Sequence, residues 1–70
     1  MNIEAAIEKI AKTEYRANQY DAKGLDRMCD KKLEQADGMY TMMEILTGME
    51  YSEIKKMVSD RLDILEMRTK

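Results

Sequence analysis

Carboxylates are the main side chains of this sequence that could do acid–base or metal chemistry, because it has no histidine and one cysteine. Histidine is the commonest general base and metal ligand in proteins. Glu14, Asn18 and Asp21 are spaced along the inward face of the first predicted helix, where polar groups need partners. Lys32 of the second predicted helix would supply one. These four residues are therefore a candidate polar site, interpreted first as a structural network and alternatively as a small-ligand or metal site.

A second row of carboxylates, Asp26, Asp30 and Glu34, recurs at every fourth position. Helical carboxylates hold Mg²⁺ or metal pairs in bundles such as helical nucleotide pyrophosphatases, but several must converge from more than one helix. Here basic residues lie between these carboxylates in the sequence, namely Arg27, Lys31 and Lys32. We therefore expect a solvated, salt-bridged helix face.

The single cysteine, Cys29, lies on the apolar stripe of the second predicted helix. Without a histidine to activate its thiol, it is interpreted as a small buried hydrophobic residue. The sequence also lacks a glycine-rich phosphate-binding loop. We expect a protein that is not an enzyme and that holds no metal and no cofactor.

Composition predicts an all-α fold in one domain spanning residues 1–70. Valine occurs once, and phenylalanine, tryptophan and proline are absent. Strands favour β-branched and aromatic residues, whereas this chain is dominated by strong helix formers. Proline, the strongest helix breaker, is missing.

Glycines and hydrophobic periodicity predict a helical hairpin followed by a third helix, over about 2–22, 25–47 and 51–68. Asn2 is a candidate N-cap of the first helix and Ser52 of the third. Gly48 is expected just past the end of the second helix. Gly38 is expected inside it, because the apolar stripe stays in phase on both sides.

Gly24 leaves two arrangements open. The apolar stripe continues almost in phase across it, so helices one and two could form one continuous helix of about 45 residues. We favour a break, because the apolar density is lowest at Lys23 and Gly24. Folding an antiparallel hairpin there would set Ile10 near Ala36 and Glu14 near Lys32.

Methionine is unusually frequent, with eight in 70 residues. Five of them lie within residues 39–57, where the second helix is apolar almost all round, so its surface should need covering by other helices. Methionine is adaptable and recurs on surfaces that repack against partners. We predict a homodimeric bundle of four or six helices, with the alternative of a monomer in which helix two is central. The predicted interface is Met39, Tyr40, Met42, Met43, Ile45, Leu46, Met49, Ile54 and Met57.

Residues 40–58 carry offsets that resemble the helix-turn-helix pattern, with Gly48 at the turn and Met43, Met49, Ile54 and Met57 at apolar positions. The resemblance implies a DNA-binding regulator. It departs from the pattern at Glu44, where a small residue usually allows close helix contact. Glu50 and Glu53 at the start of the third helix also oppose phosphate approach.

Charge and hydropathy limit the class of protein. The formal net charge of −2 argues against non-specific nucleic-acid binding, and no apolar stretch is long enough to span a membrane. The N-terminal segment has early acids and no apolar block of signal-peptide type. We expect a soluble, cytoplasmic protein of bacterial or phage accessory type. It would dimerise and bind another macromolecule, most simply a protein, as a regulator, adaptor or inhibitor.

Overall fold

Three α-helices make up the structure, a computed structural model that describes residues 2–68. They are α1 (Ile3–Ala22), α2 (Asp26–Thr47) and α3 (Tyr51–Arg68). The all-α fold and the hairpin followed by a third helix are therefore confirmed. Within residues 2–68, no helix is both long and apolar enough to cross a membrane.

Helix α1 begins where the sequence predicts. The side chain of Asn2 accepts a hydrogen bond of 3.1 Å from the backbone N–H of Ala5. Glu4 lies in the first turn, where a negative charge interacts favourably with the helix dipole. This cap satisfies one of the N–H groups that a helix leaves without an internal partner.

Gly24 ends α1 and separates it from α2. Its φ of 75° lies in the left-handed region, which glycine adopts without a Cβ clash. Its N–H donates to the carbonyl of Asp21, and the N–H of Leu25 donates to the carbonyl of Tyr20. This pair of hydrogen bonds is a Schellman motif, which closes the helix end. The continuous-helix alternative is therefore wrong.

Gly48 has the same role at the end of α2. It has a φ of 71°, and its N–H donates to the carbonyl of Glu44. The hydroxyl of Thr47 accepts a hydrogen bond from the N–H of Met49 and so steadies the turn. The next helix begins after Glu50, whose carbonyl accepts from Ile54. Ser52 therefore lies inside the first turn of α3 and not at its cap.

Helix α1 is the central helix, because it packs against both α2 and α3, which touch each other less. The expectation that helix two is central in a monomer is therefore wrong about which helix is central. Ile10 and Ala11 of α1 are almost fully buried, as are Ile54 and Val58 of α3. The core also contains the small residues Ala11 and Ala36, which let the helices approach closely. The core comprises Ile7, Ile10, Ala11, Ala36, Tyr40, Met43, Ile54 and Val58.

The contrast between Gly38 and Gly48 gives a first prediction. Gly38 lies inside α2, and a Cβ at either glycine would meet no atom within 4 Å. Gly38→Ala should therefore stabilise the fold by about 0.5–1 kcal/mol, because alanine is the better helix former. Gly48→Ala should destabilise it by about 1 kcal/mol, because its positive φ disfavours a Cβ. Urea unfolding followed by circular dichroism measures both variants, and shifts of the same sign would contradict these helix boundaries.

Candidate functional site

A buried carboxylate lies where the three helices meet. Glu14 of α1 is only 8% exposed. The hydroxyl of Tyr40, from α2, donates a hydrogen bond of 2.5 Å to its Oε1. The ammonium of Lys55, from α3, lies 2.9 Å from Oε1 and 3.2 Å from Oε2. Glu14, Tyr40 and Lys55 form the polar cluster, which connects all three helices through one side chain.

Tyr40 is held on several sides within this cluster. Its ring centroid lies 5.0 Å from that of Tyr51, and the Lys55 ammonium lies 5.3 Å above its ring. Burial raises the pKa of Tyr40 above its usual range, and the hydrogen bond to Glu14 raises the pKa further. The phenol therefore stays neutral and donates to the carboxylate. No buried side-chain nitrogen or oxygen within residues 2–68 lacks a hydrogen-bond partner.

The structure does not bring together the four residues of the candidate polar site. The expected pairing of Glu14 with Lys32 is wrong, since Lys55 takes that place and Lys32 donates to Gln35 at 3.4 Å. Asn18 and Asp21 are exposed. Across residues 2–68, no three Asp, Glu or Cys side chains converge as ligands for a metal ion. The polar contacts of Glu14 are instead with Tyr40 and Lys55.

Sequence reasoning missed Lys55, because the ion pair joins residues 41 positions apart in the chain. A signal was present, since Glu14 and the Tyr40 hydroxyl both lie on apolar stripes and each required a polar partner. Only the packing of α3 on α1 shows that Lys55 satisfies this requirement.

Cys29 is half-buried, and its surroundings disfavour the reactive thiolate. Burial raises the pKa of its thiol, and nearby carboxylates, including Asp21 and Asp30, raise the pKa further. Reactive cysteines have the opposite environment, with positive charges that lower the thiol pKa. The position of Cys29 therefore supports a packing role.

The residues of the predicted interface separate into two groups. Tyr40, Met43 and Ile54 are buried within the single chain, and Met39 and Met49 pack partly buried against the same core. The prediction that Tyr40, Met43 and Ile54 contact a second molecule is therefore corrected, because the core of the single chain already covers them, whereas Met39 and Met49 keep part of their surfaces accessible. The other four members are accessible, namely Met42, Ile45, Leu46 and Met57.

Three of these accessible residues form one surface, which we call the apolar patch: Met42, Ile45 and Leu46. They are spaced by three and four positions, so they lie on one side of the last two turns of α2. Met42 and Leu46 also line an open groove of about 180 Å³ against Lys9 and Ile10 of α1. Met57 lies elsewhere, in a cleft of about 530 Å³ between α1 and α3.

The segment resembling a helix-turn-helix has few bases available for phosphate. Of Lys55, Lys56 and Arg61, the first binds Glu14, and Arg61 lies 3.2 Å from Glu8 of α1. That hydrogen bond with Arg61 holds the pKa of Glu8 below its usual range. Two of these three bases therefore join the helices of this chain. Comparisons with protein-family models, curated proteins and solved structures find no match.

The polar cluster gives a prediction about alkaline pH. Because folding raises the pKa of Tyr40, its neutral phenol stabilises the fold. This contribution is complete below the ordinary tyrosine pKa of about 10 and is lost as pH rises above it. The free energy of unfolding should fall by up to about 1.4 kcal/mol more per pH unit than in Tyr40→Phe. Urea titrations at a series of alkaline pH values measure both slopes, and equal slopes would refute the assignment.

Neighbouring lysines test the ion pair. Lys55→Ala should lower the free energy of unfolding by about 1–3 kcal/mol, because it leaves the buried Glu14 carboxylate with one partner fewer. Lys56→Ala, at the next and exposed position of α3, should change it by less than about 0.5 kcal/mol. Chemical denaturation compares the two, and similar losses would show that Lys55 has no special role.

Proposed function

We propose that this protein is a small, non-enzymatic helical interaction module that forms a homodimer and binds another macromolecule as a regulator, adaptor or inhibitor. The observation that carries the proposal is the apolar patch. Ile45 is 76% exposed, and Met42 and Leu46 lie beside it with most of their surfaces open to solvent. Single exposed apolar residues are ordinary on protein surfaces, whereas adjacent ones on consecutive turns are typical of contact surfaces.

The size of the chain supports association. A domain of this length removes only about 60% of its unfolded surface from water, so the isolated fold is marginally stable. Covering large apolar side chains contributes roughly 1.5–3 kcal/mol for each one fully buried. Two copies meeting through the patch would bury six such side chains, three from each.

A two-fold symmetric pair is the simplest arrangement for this patch. In such a pair the same residues contact one another from both copies, so one apolar surface suffices. Met42 and Leu46 border the groove against α1, and a second α2 packed there would fill part of it. Met42 has an unbranched, adaptable side chain that suits a surface repacking against its own copy.

The remaining polar chemistry favours an interaction role over catalysis. The carboxylate of Glu14 is held by Tyr40 and Lys55, which leaves it unsuited to a ligand or metal. A DNA-binding role has less support, because Lys55 and Arg61 are engaged within the chain. No cofactor is part of the proposed mechanism, in which helix packing supplies the binding energy.

Sedimentation equilibrium at micromolar concentration tests the dimer. The wild-type chain should sediment at about twice its mass of 8.2 kDa. Ile45→Asp should give the 8.2 kDa species and remain folded, because the side chain is exposed within the chain. Met43→Asp should instead unfold the protein, because it buries a carboxylate in the core.

Met67 provides a matched control, since it is an apolar residue that is 74% exposed and lies on α3, away from the patch. Met67→Asp should leave the dimer intact. A wild-type species of 8.2 kDa would overturn the proposal, as would equal dissociation by Met67→Asp and Ile45→Asp.

A further inference from the structure

Charges are segregated around α1. At about 100° per residue, the bases of α1 and its C-cap fall within an arc of about 60°. They are Lys9, Lys12, Arg16 and Lys23. The acids of this helix lie on its other sides, where Glu8 and Glu14 pair with α3. One long side of α1 is therefore basic, and Glu8 lies at its edge, where the ammonium of Lys12 lies 3.8 Å from the Glu8 carboxylate.

The surface of α2 is divided in the same way. Its five acids fall within an arc of about 80°. They are Asp26, Asp30, Glu34, Asp37 and Glu44. Its bases, Arg27, Lys31 and Lys32, lie outside this arc, on the side that carries Met42. The expectation of a salt-bridged face is wrong, because none of these acids and bases lie within 4.0 Å of one another in residues 2–68.

Of these bases, Lys9 lines the groove of the hairpin, and the others are placed by their positions around each helix. Lys9 of α1 lines the groove together with Met42 of α2. Lys31 precedes Met42 by about three helical turns and so lies on the same side of α2. We call the exposed bases of this surface the basic face: Lys9, Arg16, Lys23, Arg27 and Lys31. None of them forms an ion pair with a residue in the described range 2–68.

The other groove of the hairpin is occupied by a helix of the same chain. Helix α3 packs against α1 and α2 there, burying Ile54 and Val58. It is also held by Lys55 and Arg61, which reach carboxylates of α1. The basic face has the opposite chemistry, with bases on α1 and α2 and no carboxylate between them. A helix docked there would need acids where α3 carries bases.

We propose that the basic face binds an acidic α-helix of a partner protein. The proposal rests on the module's proposed function as an interaction protein and names the class of partner. Two antiparallel helices lie about 8–10 Å apart, so one helix along their groove can present carboxylates to both basic arcs. Complementary charge speeds such an encounter and excludes other partners.

A polypeptide fits this surface better than a nucleic acid does. The protein has a net charge of −2, and the acidic arc of α2 follows the basic face along its edge. A nucleic acid extends beyond a binding site of this size and would bring phosphates close to those carboxylates. A short acidic helix can remain within the basic face.

The basic face and the apolar patch can be occupied together. Lys31 and Ile45 are 14 positions apart on α2, which corresponds to about 21 Å along the helix axis. A dimer formed through the patch would therefore leave open the end of each basic face that carries Lys31, whereas Lys9 lies beside Met42 in the groove at the dimer contact. Each dimer would present two binding sites for the partner helix.

Fluorescence anisotropy tests the proposal with a labelled synthetic helix of about 20 residues, the length of α1, carrying glutamates at every fourth position. The wild-type protein should bind this peptide, with affinity falling as salt increases. Lys31→Glu should weaken binding by about fivefold or more, because it replaces an attraction by a repulsion. Lys56→Glu makes the same charge change on exposed α3 and should weaken binding by less than about twofold.

Several results would overturn the proposal: no binding of the acidic peptide, equal losses for the two variants, or equally tight binding of a DNA duplex of similar charge. Circular dichroism verifies that both variants keep their helix content. Ile45→Asp separates this proposal from the dimer, because that variant should lose self-association and still bind the peptide. A wild-type protein that sediments as a dimer but does not bind the peptide would refute the basic face and leave the dimer proposal standing.

Discussion

The carboxylate of Glu14 is the point on which the arrangement of the three helices depends. A carboxylate buried among apolar side chains destabilises a protein unless hydrogen bonds and a positive charge compensate it. Tyr40 supplies a hydrogen bond from α2, and Lys55 supplies the charge from α3. Both helices must therefore pack on α1 in a register that brings these groups to one place. Apolar contacts around Ile10 and Ile54 contribute the burial, and they tolerate small displacements more readily than a three-way polar contact does.

This arrangement determines which surfaces remain for other molecules. With α3 occupying one groove of the hairpin, the opposite groove stays open along α1 and α2. Its two ends differ in chemistry, because Met42 and Leu46 line one end whereas Arg16 and Lys31 lie toward the other. We interpret the apolar end as the place where two copies meet and the basic end as the place where an acidic partner binds. The acids of the chain lie on other sides. The protein therefore has separate acidic and basic surfaces although its net charge is only −2.

Much of the fold could be predicted from local chemistry. Asn2 and Gly48 mark helix ends because capping and positive φ depend on a few neighbouring residues. Gly24 left two arrangements open, since an interior glycine in a helix costs only about 1 kcal/mol and tertiary packing can compensate it. The methionine cluster was a weaker guide. Periodicity placed Met43 on the apolar stripe and Ile45 on the opposite side of the helix, but it could not show that the side with Ile45 remains exposed in the folded chain.

The sequence by itself determined the helical class, the helix ends at Asn2 and Gly48 and the absence of histidine-based chemistry, because each follows from composition or from interactions within a few residues. The tertiary structure decided that α1 is the central helix, that Lys55 and not Lys32 pairs with Glu14, and that Met43 is buried whereas Met42, Ile45 and Leu46 stay exposed. These outcomes depend on contacts between residues far apart in the chain. Periodicity shows which side of a helix is apolar, but the helix that covers that side is chosen by the packing of all three together.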